Sequence, residues 1–533
     1  MDEMTTRFPS DPSALGAFCR ETWQERVQIE REGNLHRLQC GAEQLAAVCE
    51  WLTTAYAHVF AMLIVEEQDA EWLLTYMFHA ATGGSFVHVV IRQPVSEMHV
   101  PSVATIIPAA DWHEREAADQ FGLVFDGHPR LGAFVLHDGW PPDAQPMRRG
   151  FDIHRPLARE AEEDVAEPDR SLDAAGAFAM PIGPVFSDLA ESAHFRLESL
   201  GEDMSRIAVR FFYKYRAVEK LAEQLPPDRA LLLAERFSGA AAFAHGLAFC
   251  QALEAIAQAT VPPRALVLRA ILAELERLRS HAATITGICH STALAVATSQ
   301  AAILEEDLLR LSAVASGHRY FFGIVAPGGL AADISDATCR QVAGEAERSA
   351  DRLRRLYLLL RRSSSFLDRL EEVGGTSNAA ALLLGLVGPV ARASGVGRDL
   401  RVLFPYAAYA TMPPQVPTEE QGDGYARLRV LFREAAESAA LIGRLAAHIP
   451  AGPVSLSGIA LRPGAALGAV EAPLGAAFHW VRLGPDGRIV RWRIAPPSFA
   501  NWPGFQFAAE EFAFQDFPII LATFGLSNAE SDR

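Results

Sequence analysis

The sequence predicts an α+β protein of two domains: an N-terminal α/β domain, then a mostly α-helical domain that carries a small C-terminal β element. Three observations carry that prediction. Helical and strand periods are interleaved through residues 1–100, whereas from Met180 the chain turns Ala/Leu/Arg-rich with apolar residues at helical spacing, and 455–495 return to strand-like alternation. An acidic, proline-punctuated stretch separates the two halves. At 533 residues the chain is also too long for one ordinary core.

Composition narrows the function. With 50% apolar and 21% charged residues the chain can bury a large core, and global disorder is excluded. A net charge of −17, with no stripe of Lys and Arg, argues against a nucleic-acid partner. No two of the six cysteines are spaced Cys-x-x-Cys, so there is no local iron–sulfur, zinc or dithiol signature; they read as reduced core residues. The acidic start Met1-Asp2-Glu3-Met4 lacks an apolar leader. His281–Leu304 holds no Asp, Glu, Lys or Arg and is long enough to cross a bilayer. Its two His, one Gln, four Thr and two Ser predict a buried bundle helix instead.

Taken in order, Asp11–Glu32 reads as a helix, with Asp11 capping and Pro12 in its first turn. Leu35–Cys40 and Phe86–Arg92 read as strands, and the Ala/Leu spacing from Cys49 to Leu63 as a second helix. Ala110–Gly122 is an amphipathic helical turn with Asp111 placed to cap it and Gly122 to end it. Residues 156–179 form the linker, acidic over Arg159–Asp169, so the domains are 1–155 and 180–533. Leu353–Leu360 and Leu428–His448 carry helical apolar stripes, and His479–Leu483 with Arg488–Ile494 form a β-hairpin through Gly484-Pro485-Asp486-Gly487.

Specific motifs go further. Trp112, Glu114, Arg115, Glu116, Asp119, Phe121 and Gly122, followed by Gly127-His128-Pro129, resemble the signature of the 30 kDa subunit of complex I (NADH:quinone oxidoreductase). In that family the domain is structural, so the resemblance implies interface and turn-fixing roles for Trp112, Glu114, Arg115, Glu116, Asp119 and His128. From Met180 the chain resembles the 49 kDa subunit of complex I and its hydrogenase relatives. The matching pieces are Pro181–Pro184, Tyr215–Glu223, Glu274–His281, Gly388–Gly395, Gly422–Arg427 and Glu471-Ala472-Pro473. Fusion of the two modules is typical of formate hydrogenlyase-type, group 4 nickel–iron hydrogenases.

That resemblance exposes what is missing. Glu235–His245 has the frame Glu-Arg-x-Cys-Gly-x-Cys-x-Phe-x-His of the first metal-binding motif, with Ser238 and Ala241 at its two cysteine positions. The second pair, in a terminal Cys-x-x-Cys-Thr-Asp-Arg, is replaced by Ser527 and Glu530. Soft thiolates hold low-valent metals; a hydroxyl and a carboxylate do not replace them. The quinone handles of complex I are absent too: Phe186 follows Gly183-Pro184-Val185 where the family has His, and no Tyr lies between Arg236 and His245. Leu474 stands where Arg usually follows Glu-Ala-Pro.

The groups left around the cavity are Glu235, Arg236, His245, His281, Glu530 and Asp532, read either as a satisfied ion-pair network or as a proton or coupling relay. The resemblance implies a peripheral subunit on the cytoplasmic side of the inner membrane. Its expected partners are an iron–sulfur small subunit holding the clusters and antiporter-like membrane subunits. No cofactor is expected on this chain directly, quinone being the one alternative. The expected function is electron transfer coupled to ion translocation without a nickel–iron centre, or alternatively a purely structural role around a vestigial site.

Overall fold

The structure, a computed structural model, describes residues 22–23, 26–137, 139–154, 157, 176–186 and 191–533. Asp11, Pro12, Cys19 and most of the 156–179 stretch lie outside the described residues. The chain divides into two compact units, with the boundary between residues 170 and 171 apart from the short segment Leu383–Gly385.

The first unit is built on a five-stranded sheet in the order β1-β2-β5-β4-β3, from β1 (Val27–Glu32), β2 (Leu35–Cys40), β3 (His58–Gln68), β4 (Glu71–Ala80) and β5 (Phe86–Pro94). Within it only β2 and β5 run parallel. Interior strand β4 is buried at every position after Glu71, whereas edge strand β1 alternates Val-Gln-Ile-Glu and leaves its charges outside. Two expectations fail here. Val27–Glu32 belongs to a strand, not to a helix running from Asp11, because that alternation pairs with β2. The second helix is Leu45–Tyr56; His58–Leu63, read as its continuation, is the start of β3, since Ala57 takes a left-handed φ of 49° that ends the helix. A parallel pair, β6 (His99–Pro101) and β7 (Val124–Asp126), flanks the Asp111–Phe121 helix, which stops at Gly122 with φ of 78°.

The second unit opens with an antiparallel sheet of β8 (Ala177–Ile182), β9 (His194–Leu200) and β10 (Asp203–Arg210). Ala177–Ala179, assigned by composition to the linker, are thus strand residues. The core is organised around the long Pro263–Ser291 helix, packed by the Ala242–Ala257, Ala295–Ser316, Gly424–Ala446 and Phe517–Phe524 helices. The residues read as one membrane-length run, His281–Leu304, divide between two helices, broken at Ala293 with φ of 60°. No helix among the described residues is long and apolar enough to cross a membrane.

A two-stranded ribbon of β11 (Val325–Ala326) and β12 (Gly329–Leu330) precedes the second antiparallel sheet, made of β13 (Gly464–Ala472), β14 (Gly475–Leu483) and β15 (Ile489–Ala495). The β14–β15 hairpin is the expected one. This sheet lies against the Ala242–Ala257 helix at Gly468, where a Cβ would come within 1.8 Å of the Ala248 carbonyl oxygen. The five described cysteines are free and buried.

One helix matters most for the site. Pro263–Ser291 starts with proline in its first turn and is rich in strong helix formers. It is buried nearly all round, so its charges at 274, 276, 277, 279 and 281 must find partners inside the protein.

Candidate functional site

The connection from the Pro227–Ala234 helix to the Ala242–Ala257 helix contains the cysteine-less motif. Glu235 receives the Gly323 amide on both carboxylate oxygens, at 3.0 and 3.1 Å, and pairs with Arg236 at 3.1 Å. Burial pushes its carboxyl above the usual range, opposed by those two partners. Arg236 points away from the core, half-exposed and stacked 4.6 Å over Phe322. Ser238 is buried, and its hydroxyl has no hydrogen-bond partner.

The loop itself is fixed from the long helix. Arg279 donates to the carbonyls of Gly239 and Ala240, each at 2.9 Å. Ala241 occupies the N-cap of the next helix and has no side chain to cap it. Glu276 takes over that task, accepting the Phe243 and Ala244 amides at 2.8 and 2.9 Å. A carboxylate at a helix N-terminus satisfies orphan amides and the helix dipole together.

One turn into that helix, fully buried His245 meets the tail. Its Nε2 lies 3.0 Å from Glu530 Oε1, and its Nδ1 lies 3.0 Å from Nε2 of His479 on β14. The Trp492 indole reaches His479 Nδ1 at 3.3 Å. An indole N–H only donates, so His479 Nδ1 accepts and its Nε2–H donates to His245 Nδ1. His245 then donates from Nε2 to Glu530. The row has a single polarity, Trp492 to His479 to His245 to Glu530. Burial, followed by His245 and Arg533, holds His479 well below the usual imidazole range. The second oxygen of Glu530 accepts the Ser498 amide at 3.0 Å.

The rest of the tail is equally committed. Ser527 accepts the Glu530 amide and donates to Glu191. Asp532 accepts the Phe212 and Lys214 amides at 2.8 and 3.0 Å, and burial pushes it up to about 6. Arg533 pairs with Glu219 at 3.1 Å, a carboxylate shared with Arg491 and Arg493. Arg216 ties the two motif segments together by donating to the carbonyls of Phe237 and Ala529.

Of the residues singled out from sequence, His245 and Glu530 meet. Glu235, Arg236 and Asp532 bind elsewhere. His281 also lies apart, in a second fully buried cluster, with its Nε2 2.9 Å from Glu434. Glu434 bonds Arg392, which reaches Glu471 at 2.8 Å and Asp399 at 3.4 Å. Arg401 pairs with Asp399 and, at 2.9 Å, with Glu274. Glu274 in turn accepts Tyr409 and Ser438 hydroxyls, and Arg277 lies 3.4 Å from it. Sequence reasoning gave no role to His479, Trp492, Glu276, Arg216, Glu191 or, apart from His281, to this cluster. The signal available was charge: four carboxylates and three arginines inside otherwise apolar helical and strand segments.

In the first unit Glu114 accepts hydrogen bonds from Tyr76, Ser102 and the Val103 amide. Asp119 accepts the amides of Phe134, Val135 and Leu136. His128 lies 3.2 Å from Asp111, which is the first helical residue rather than its cap. Trp112 and Arg115 pack on Phe134, Arg115 at 4.4 Å, and Glu116 is buried. These residues fix turns around the Asp111–Phe121 helix.

A sheet domain carrying this turn signature, followed by a helical domain with a hydrogenase-type motif pair closed on itself, defines a complex I-type fusion protein. The description "Respiratory-chain NADH dehydrogenase, 30 Kd subunit" matches residues 38–156, and "Respiratory-chain NADH dehydrogenase, 49 Kd subunit" matches 298–458. Formate hydrogenlyase subunit 5 of Escherichia coli is 30% identical over 451 residues, covering 84% of this chain and 79% of that protein. Hydrogenase-4 component G of the same organism is 31% identical, covering 81% and 76%. A fused NADH-quinone oxidoreductase subunit of Bdellovibrio bacteriovorus is 27% identical, covering 81% and 83%. A chain of the membrane-bound sulfane sulfur reductase, an archaeal respiratory membrane complex, superposes with a TM-score of 0.64 at 25% identity, covering 68% of this chain and 100% of that one. The chain belongs to the family of fused 30 kDa/49 kDa subunits of complex I-like and hydrogenase-4-like membrane complexes.

The family implies a nickel–iron centre at this place, and the residues at its ligand positions do not fit it. At the four ligand positions stand an unpartnered hydroxyl, a methyl group, a hydroxyl bound to Glu191 and a carboxylate held at both oxygens. Such donors are hard or absent, and the two on the tail are already used. Phe186 lays its ring against Gly183, 2.9 Å from where a Cβ would stand, so that position offers a quinone no hydrogen bond.

Proposed function

We propose that this chain is a core peripheral-arm subunit of a membrane-bound, ion-translocating complex and works there without a nickel–iron centre. One observation carries the reading. Glu530, at a thiolate position of the family, is bound through both oxygens to His245 and the Ser498 amide, so protein groups fill the coordination the metal would need. Electron carriers then belong to a partner, an iron–sulfur small subunit, and antiporter-like subunits supply the membrane part. The chain sits peripherally, on the cytoplasmic side. Elemental analysis of the affinity-purified complex tests this: nickel below stoichiometric amounts is expected, and one nickel per chain overturns it.

The second reading, a purely structural subunit around a vestigial site, draws on Arg216, which staples the two motif segments without any ligand. Glu530→Gln in the assembled complex separates the two. Loss of electron-transfer-driven ion movement with assembly intact favours the working site; unchanged movement favours the structural role.

A further inference from the structure

The buried cluster around Arg392 does not balance. Its carboxylates are Glu274, Asp399, Glu434 and Glu471; its guanidiniums are Arg277, Arg392 and Arg401. All seven are at most 3% exposed, as is His281. Four negative charges against three positive ones leave one uncompensated charge in the interior, which is costly enough that a group takes up a proton instead.

We propose that this cluster is a proton-binding site that holds one exchangeable proton, resident on Glu471 and shared with His281. With the proton on Glu471 and His281 neutral, the sum is zero. With Glu471 ionised and His281 as imidazolium, it is zero again. No proton, or two, leaves a net buried charge.

The geometry singles out these two groups. Glu274 faces Arg401 and Arg277 and accepts two hydroxyls; Asp399 is gripped by Arg401; Glu434 receives Arg392 and His281. Glu471, on β13, is faced by Arg392 and the Leu400 amide, with Asp399 as a like charge, Arg277 nearby, and Tyr406 accepting its backbone amide. Burial and then Asp399 raise its carboxyl above the ordinary range, whereas Glu274 is drawn down to about 2 against its burial by Arg401 and Arg277. His281 is faced by Glu434, Arg277 and Arg392, and burial lowers it, so the proton rests on Glu471. Arg398, beside Asp399, is lowered to about 10 by burial alone, forms no ion pair among the described residues and stands outside this paired cluster.

A second, independent sign is that the cluster is not closed. His281 Nδ1, Arg392 Nη2 and Arg277 Nε are buried without hydrogen-bond partners. A purely structural network saturates such atoms; here they include the second proton seat and the guanidinium between the two seats. The use of this proton in ion translocation rests on the function proposed above. Its existence does not, so the nickel measurement and the one below can fail separately.

Infrared spectroscopy of the full chain tests the proposal at about pH 6, where an ordinary glutamate is ionised. Wild type should show a carboxylic-acid carbonyl band above the amide envelope that shifts in D2O. Asp532, at about 6, and the raised Glu235 add to this band, so the wild type minus Glu471→Gln difference spectrum should isolate the Glu471 component, and His281→Gln, which leaves the proton one seat, should keep it. A folded state that binds an extra proton also loses stability as pH rises above the ordinary carboxyl range. The folding equilibrium constant should fall in wild type as pH rises, and Glu471→Gln should remove up to tenfold per pH unit of that fall, leaving the part that belongs to Asp532. No band in wild type, or no carboxylic-acid component in the wild type minus Glu471→Gln difference, overturns the proposal. Should that variant not fold, Glu471→Asp must move the band; an unmoved band overturns it equally.

Discussion

Glu530 meets two donors in a fully buried position, and removing its carboxylate strands both the His245 N–H and the Ser498 amide. Glu530→Ala should therefore destabilise the second unit by roughly 1–3 kcal/mol for each stranded donor. Truncation after Ser527 should do more, since it also removes Asp532 and Arg533. Thermal unfolding and pull-down of partner subunits check both; unchanged melting would show the tail to be a loose end. Asp532 gives a pH test. Its folded value of about 6 lies above the usual range of about 4, so its protonated form favours folding. That contribution is complete below about pH 4 and is lost as pH rises through 6, worth roughly 3 kcal/mol in all. Denaturant midpoints across this window should fall in wild type and fall less steeply in Asp532→Asn, which is neutral throughout.

Among elements, the closest packing is β13 on the Ala242–Ala257 helix. Gly468→Ala would drive a methyl into the Ala248 carbonyl, backbone against backbone, with no flexible side chain to yield. A loss of roughly 1–3 kcal/mol is expected by chemical denaturation, with a lower melting temperature rather than a changed fold. Elements were legible where period and punctuation agreed: β2, β5, the β14–β15 hairpin and the Gly122 stop lie where alternation or glycine put them. They were illegible where the sequence offered a plausible continuation. Nothing local forbids a helix through His58–Leu63, and the turn at Ala57 comes from tertiary pairing of β3 with β4. The break at Ala293 is similar, because alanine seldom takes a left-handed conformation without packing to enforce it.

For the whole molecule, the acidic 156–179 stretch is expected to be the first site of limited proteolysis, yielding fragments near 1–155 and 180–533 on a gel. First cleavage elsewhere, with that stretch intact, would refute the boundary. The motif pair and its lost ligands were legible because they are short and local. Their replacements were not. His479 lies 234 residues from His245 and Arg401 lies 127 from Glu274, so only the fold makes them neighbours. Tyr409, Ser438 and Glu471 reached the second cluster in the same way, from three separate elements.

The row from Trp492 to Glu530 carries one last consequence. A conduit for protons must be able to reset: every member passes a hydrogen forward and takes another from behind. Trp492 has one N–H, no lone pair to receive with, and no hydrogen it can surrender. Once His245 handed a proton to Glu530, nothing upstream would refill it. The row is a cul-de-sac, and its hydrogen bonds hold the tail shut.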